Sequence, residues 1–441
     1  MLLRSWKEIA AHLGVDGRTC ARWEKKFGLP IHRAQGEVYR SRVFAYRDEL
    51  DAWFQKTFRN QQGVTATVRP PTRRRIWLGS LPVLAAVIIG AWILIPTKEP
   101  GPAPSDRVPA DFQIEGSVLV ILNVAGQPLW SYDTRLPNLS SDKEYKDTEL
   151  GARGPAKGGG NLYVLFRDLQ GEGRKEVLFA TQTRDELLEG DLICLSDRGE
   201  RLWNFHAGRE MRFGIKKYSS DYRISWFDAS DLDGDGRLEV LLSSIHNPEW
   251  PCQLALLSSD GSLLGEYWNS GHIVDFVAVD IDSDGRKELV AGGLNNEFRK
   301  VCVVALDTPE FRGSSPNSGE FLSADFPTGE EIAYILLPRT NIDQMEELYE
   351  SVFNIQLLAK GNIRVLTNIS RLFFEFRPDL TLQQVLGSHG FEKLHRKYFE
   401  AGKVTTPYSD NIYIERLKKE VLYFDGQGWT TTPKVRLKHT R

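Results

Sequence analysis

The apolar positions of this chain follow three different spacings, and each predicts a different kind of element. In SWKEIAAHLGV, Ile9, Ala10 and Leu13 recur at three- and four-residue intervals, so they share one side of a helix. Ser5 and Glu8 have the spacing of a capping box at its start, and Gly14 supplies its stop. A second helix, GRTCARWEKKFG, aligns Cys20, Trp23 and Phe27, and a third, RDELDAWFQK, aligns Leu50, Trp53 and Phe54. Between these two, LPIHRAQGEVYRSRVFAY reads as a short hairpin around Gln35 and Gly36, with Val38, Val43, Phe44 and Tyr46 as strand positions.

The second spacing is unbroken. Ile76 to Ile95 is an uncharged run with Trp77 and Trp92 near its ends. As a helix it is about 30 Å long, the thickness of a bilayer's hydrocarbon core. Arg69, Arg73, Arg74 and Arg75 crowd its N-terminal side, whereas Lys98 is offset by Glu99 on the other. The positive-inside rule therefore predicts a single-pass protein with a cytoplasmic N-terminus and everything beyond about residue 96 outside the cytoplasm. Residues 58–75 read as a basic tether and 96–111 as a Pro-rich linker.

From residue 112 onward apolar and polar positions alternate, and two repeats interleave. DLQGEGRKEVL, DLDGDGRLEVL and DIDSDGRKELV begin at Asp168, Asp231 and Asp280. LVILNVAGQPLW, LICLSDRGERLW and LALLSSDGSLLGEYW each join two strands through a Gly turn and end at Trp130, Trp203 and Trp268. Together they predict four-stranded antiparallel units arranged as a β-propeller over 112–441, of about five blades that need not all be complete. SHGFEKLHRKYFEAGK reads as a helical insertion near the C-terminus, and VLYFDGQGW as a hairpin that pairs with the strand near Val118 to close the ring.

Charge sharpens the division. Residues 1–75 carry 16 Lys/Arg and 7 Asp/Glu, a net of +9, and the remainder of the chain carries −12. A basic cytoplasmic head suggests a polyanionic partner, double-stranded DNA. On the second helix Arg18, Thr19, Arg22 and Lys25 are left to face outward, as in a recognition helix.

The acidic loops carry the clearest chemistry. Asp231, Asp233, Asp235 and Glu239 offer oxygens at loop positions 1, 3, 5 and 9, with the Arg237 carbonyl at position 7. Asp280, Asp282, Asp284, Arg286 and Glu288 repeat the pattern. Hard oxygen donors around a Gly turn suit a structural Ca²⁺. The loop at Asp168 has Gln170 and Glu172 in place of two Asp, and is expected to survive as a turn without strong metal binding. Cys194, Cys252 and Cys302 lie amid strand-like residues and are expected as buried free thiols. No Ser or Cys nucleophile motif accompanies His206, His246 or His272, and no acid/base pair stands out, so an enzyme is not expected.

Three resemblances follow from these residues. WKEIAAHLGV, RTCARWEK and ELDAWF resemble the winged helix-turn-helix of the MerR and excisionase group, which implies that Arg18, Thr19 and Arg22 approach DNA and that Arg33 and Arg40 flank a contacting wing. The long dimerisation coiled coil and metal-binding cysteines of full-length MerR regulators are missing from the pattern. The acidic repeats are similar to integrin-type FG-GAP, or VCBS, propeller repeats with loop-bound Ca²⁺. The order of parts resembles membrane-spanning one-component regulators of the ToxR or CadC type, which implies a bacterial inner membrane with the C-terminal domain periplasmic or extracellular. The expectation is thus a multidomain chain: a small α(+β) winged helix-turn-helix at 1–57, one transmembrane helix at 76–95 and a large all-β propeller at 112–441. Its function is expected to be transcriptional regulation governed by an external protein or glycan ligand, through pairing of chains as a homodimer. The alternative is a surface adhesion or scaffold protein whose N-terminal fold docks a cytoplasmic partner.

Overall fold

The computed structural model describes residues 107–146, 163–183, 190–246, 250–308, 311–345, 349–407 and 411–436, together with short stretches between residues 2 and 50. Contacts divide the chain into two units, Met1–Thr97 and Lys98–Arg441. The tether and the run from Ile76 to Ile95 lie outside the described residues, and among the described residues no helix is long and apolar enough to cross a membrane.

In the first unit Leu2–Leu3, Val43–Tyr46 and His32–Arg33 form a three-stranded antiparallel sheet, in that order. His32 faces Phe44 and Arg33 faces Val43, and the predicted turn at Gln35 and Gly36 lies outside the described residues. The third strand, Leu2–Leu3, is too short to show alternation and was not foreseen. Ile9 and Leu50, two of the predicted helix-face positions, are fully buried, as is Ala45.

The second unit is built of five consecutive sheets, antiparallel but for one added strand, with a two-stranded hairpin of Met211–Phe213 and Lys216–Tyr218 between the second and third. The first is a meander of Asp111–Glu115, Val118–Leu122 and Pro128–Asp133. Val164–Arg167, Glu176–Ala180, Asp191–Leu195 and Arg201–His206 make the second. Tyr222–Ser230, Glu239–His246, Cys252–Leu257 and Leu263–Asn269 make the third, to which Arg312–Ser314 adds in parallel. The fourth holds Ile273–Val279, Glu288–Asn295, Lys300–Leu306 and Ala333–Leu336, extended by Leu422–Phe424 and Trp429–Thr430. Val352–Leu357, Ile363–Thr367, Leu372–Phe376 and Leu382–Gly387 form the fifth.

The second strands of sheets two, three and four, EVLFA, EVLLSSIH and ELVAGGLN, are buried nearly throughout. That is the reason their sequences are almost continuously apolar: a neighbouring sheet covers each face. Four hydrophobic clusters join sheet one to two, two to three, three to four and four to five. Buried side chains of each sheet thus pack on those of the next, as in the face-to-face stacking of propeller blades.

The hairpin repeat adds a second link. Trp130 of sheet one donates its indole N–H to the Asp197 carbonyl at 2.8 Å, in the turn of sheet two, and Trp203 of sheet two donates to the Ser259 carbonyl at 3.0 Å, in the turn of sheet three. The third member, Trp268, is buried with its Nε1 unpartnered. Sheet four has no equivalent turn to offer it, because the chain makes an excursion over 307–332 between its third and fourth strands.

The closing hairpin is a correction. Leu422–Phe424 pairs with Ala333–Leu336, Ile335 facing Tyr423, and not with the strand at Val118. Among the described residues no cluster joins sheet five to sheet one. Helix α1 (Asp142–Lys146) leads out of sheet one. The predicted amphipathic helix is α2 (His389–Glu400), capped by Ser388, whose side chain accepts from the Phe391 N–H at 3.1 Å. It packs Phe391 and Tyr398 into the last cluster. Helix α3 (Asn411–Lys419), which the sequence reading did not anticipate, adds Tyr413 and Leu417.

Candidate functional site

The acidic loops lie between the first and second strands of sheets two, three and four, and all three are held in one manner. Each opening Asp caps the turn: Asp231 accepts from the N–H groups of Gly234 at 2.7 Å and Gly236 at 3.2 Å, and Asp280 from those of Ser283 at 2.6 Å and Gly285 at 3.1 Å. The closing Glu turns inward. Glu176, Glu239 and Glu288 accept from the backbone N–H of Leu169, Leu232 and Ile281 at 2.8, 2.8 and 2.6 Å. Neighbouring loops are joined by backbone as well: Leu238 N–H donates to the Leu169 carbonyl at 2.9 Å, and Lys287 N–H to the Leu232 carbonyl at 2.8 Å.

Of the predicted donors, Asp231, Asp233 and Glu239 bring one carboxylate oxygen each within 4.8 Å of one another, as do Asp280, Asp282 and Glu288. Asp235 and Asp284 stand outside these groups, and their carboxylates accept from the N–H of Arg237 at 2.7 Å and of Arg286 at 2.8 Å. The Asp168 loop shows no such convergence. Burial, reinforced by Asp282 and Asp280, raises the Glu288 carboxyl to about 7, and Glu239 is raised in the same direction by burial, Asp233 and Asp235. Negative charge is thus gathered at each turn, with the Lys287 ammonium on the Asp231 carbonyl at 2.8 Å, and three converging carboxylate oxygens are the kind of donor set a hard divalent cation takes.

Arg18, Thr19, Arg22, Lys25 and Arg40 lie outside the described residues, and Arg33 is placed only by its backbone, in the strand His32–Arg33. Cys194, Cys252 and Cys302 are buried, and none is in a disulfide. His206 Nδ1 lies 2.9 Å from Asp191 Oδ1. His246 Nε2 lies 3.1 Å from the Ser219 hydroxyl, which also donates to Asp221 at 2.8 Å. Asp221 therefore engages the hydroxyl, not the second ring nitrogen of His246, so this is not the order of a catalytic triad.

One group of polar residues was not singled out in the sequence. Two insertions, over 207–221 and 307–332, meet beside sheet three and bring Arg209, Arg212, Lys217 and Arg312 around one cleft. Only the density of cations in GREMRFGIKK hinted at it.

No family model matches the chain, and no curated protein sequence does. Solved structures to which it is similar include BamB from Moraxella catarrhalis, 10% identical with a TM-score of 0.24, covering 59% of this chain and 65% of that one. The Dos1 propeller is 10% identical with a TM-score of 0.29, covering 62% and 65%. A europium-containing methanol dehydrogenase is 8% identical with a TM-score of 0.31, covering 63% and 60%. The chain thus spans less than two thirds of the length of each. Likenesses at this level say nothing of function, and the propeller-like architecture rests on the five sheets themselves.

Proposed function

We propose that this chain is a membrane-anchored one-component transcriptional regulator. Residues 1–57 are its cytoplasmic DNA-binding head, and the five-sheet unit is an external sensor or interaction module with structural Ca²⁺ in the loops at Asp231 and Asp280. What supports the reading is the order of three unlike parts: a basic head with helical apolar spacing, an Arg-flanked uncharged run from Ile76 to Ile95, and an acidic array of sheets.

In this reading the external module changes the pairing of chains, and pairing two weak DNA-binding heads raises their combined affinity without a new contact. A single membrane helix transmits association more readily than shape. The test is fluorescence anisotropy of labelled duplex DNA titrated with the full chain in detergent. Binding that weakens steeply with salt, and on Arg22→Ala, supports the reading. No binding at low salt overturns it.

A further inference from the structure

We propose that the cleft between the insertions 207–221 and 307–332 is a binding site for a small organic phosphate or sulfate ester, held by Arg209, Arg312 and Lys217. The inference deepens the sensor reading and rests on it only for the consequence of binding.

The cleft is a built feature. Gly214 N–H donates to the Leu322 carbonyl at 2.9 Å and Ala324 N–H to the Arg212 carbonyl at 2.9 Å, so the two insertions are stitched through their backbones. Arg212 closes the joint on Asp325, with Nη2 2.8 Å from Oδ1 and the backbone N–H 2.8 Å from Oδ2. The Arg212 guanidinium holds the Asp325 carboxyl below the usual carboxylate range. The cleft is open to solvent and has a volume of about 730 Å³, within the range of small-molecule sites. It lies where the hairpin repeat breaks, beside the aromatic cluster of Tyr218, Tyr222, Trp268 and Phe326.

The charges around it are unevenly matched. Arg212 and Asp325 satisfy one another. Arg209 is anchored on Glu266, which also accepts from Gln253 Nε2 at 2.9 Å, while Gln253 accepts from the Gly208 N–H at 2.7 Å. Among the described residues Arg312 and Lys217 have no carboxylate partner. Arg209 and Arg312 both stand over the ring of Phe326, 5.1 and 5.2 Å from its centre. Both guanidiniums thus gather at one aromatic ring, and burial together with the charge of Arg312 lowers the pKa of Arg209, in a module that is otherwise acidic.

Two crowded guanidiniums repel, and an anion shared between them relieves the repulsion. Their planar forks match the oxygens of a phosphate or sulfate group, and Lys217 adds a further positive charge beside them. Tyr218 and the Ser219 hydroxyl supply a wall for the organic body, and Glu210 is an acceptor for its hydroxyl groups. A neighbouring cavity of about 520 Å³ shares Arg209, Arg312 and Phe326 but is lined by Glu266, Asp307 and Glu330. Its carboxylates disfavour an anion, which places the ester group on the side of Lys217.

The test is calorimetric titration of the full chain in detergent with glucose 6-phosphate, glucose 6-sulfate and glucose. The expected result is that at least one ester binds and glucose does not; the preferred ester identifies the source of the oxyanion. Arg312→Ala should weaken binding about tenfold and Arg312→Lys less, because a point charge replaces a fork. If Arg312→Ala lowers the thermal midpoint, Lys217→Glu decides, since it reverses an exposed charge. Binding of neither ester, equal binding of glucose, or unchanged affinity in both Arg312→Ala and Lys217→Glu overturns the inference. Ester binding that leaves DNA affinity unaltered keeps the site and counts against the sensor reading alone.

Discussion

The indole of Trp203 fills the space into which a Cβ on Gly261 would project, 2.6 Å from the nearest ring carbon. Gly199 stands in the same relation to Trp130, at 2.7 Å. Both glycines have positive φ, 84° and 85°, and so the turn of one sheet is at once a left-handed corner and a seat for the tryptophan of the sheet before it. Gly261→Ala is expected to cost about 2 kcal/mol or more, the sum of an unfavourable backbone and a displaced ring. Urea unfolding measures it. A loss no greater than that of Gly→Ala in open space would show that the ring is not seated as described.

The same residues indicate how far the architecture could be read from sequence. Alternating strands, Gly turns and closing tryptophans are local signals, and they specified the sheets closely. Partner choice is not local. LYF at Leu422 alternates as any edge strand does, and nothing in it distinguishes the strand at Ala333 from the strand at Val118. The contact of Arg212 with Asp325 spans 113 residues, and neither residue has a neighbour that announces the other. The converging oxygens of Asp231, Asp233 and Glu239 were legible because a Gly-bearing turn brings residues close in sequence together; the displacement of Asp235 to a backbone N–H was not, since either use suits a carboxylate at that spacing.

Calcium should act on stability. Excess Ca²⁺ is expected to raise the thermal midpoint of the full chain and EDTA to lower it, since a ligand that binds only the folded state stabilises by mass action, about 2.7 kcal/mol at a hundred times its Kd. Asp233→Asn combined with Asp282→Asn should abolish the response, and Asp168→Asn should leave it intact. A midpoint indifferent to Ca²⁺ removes the metal from the reading.

Glu331 should make stability depend on pH. Burial raises its carboxyl to about 7, and Tyr267 Oη lies 3.5 Å from Oε2. The folded state binds this proton more tightly than the unfolded chain, where the carboxyl titrates near 4.3. The destabilising contribution is therefore absent below about pH 4, grows as pH rises and is complete above about pH 7. Glu331→Gln should gain roughly 2–3 kcal/mol at pH 8 and close to nothing at pH 4. Chemical denaturation at the two pH values checks it, and an equal effect at both would rule out titration as the cause.

The three thiols of the sheet unit should be inert until that unit unfolds. Burial raises Cys252 to about 11 and Cys302 to about 12, and Cys194 is raised in the same direction. In a Cys20→Ser background, Ellman's reagent at pH 8 should report no fast thiol in buffer and three in denaturant. A fast thiol in buffer would contradict the burial of that strand.

Phe374 lies in the interior of sheet five and belongs to the cluster joining it to sheet four. Phe374→Ala should cost about 3–5 kcal/mol. A separate low-temperature transition in calorimetry would show that the fifth sheet unfolds independently of the others.

The bonds from Leu238 to the Leu169 carbonyl and from Lys287 to the Leu232 carbonyl are made by backbone atoms, and the residues that donate them, one apolar and one cationic, have nothing else in common. Adjacent loops therefore stay joined whatever side chains mutation places there. A loop in this row can exchange an acid and still keep its seat, as the Asp168 loop does with Gln170. Continuity along the rim is carried largely by main-chain atoms, with the Lys287 ammonium on the Asp231 carbonyl as a side-chain addition, whereas a metal would rest on the carboxylates.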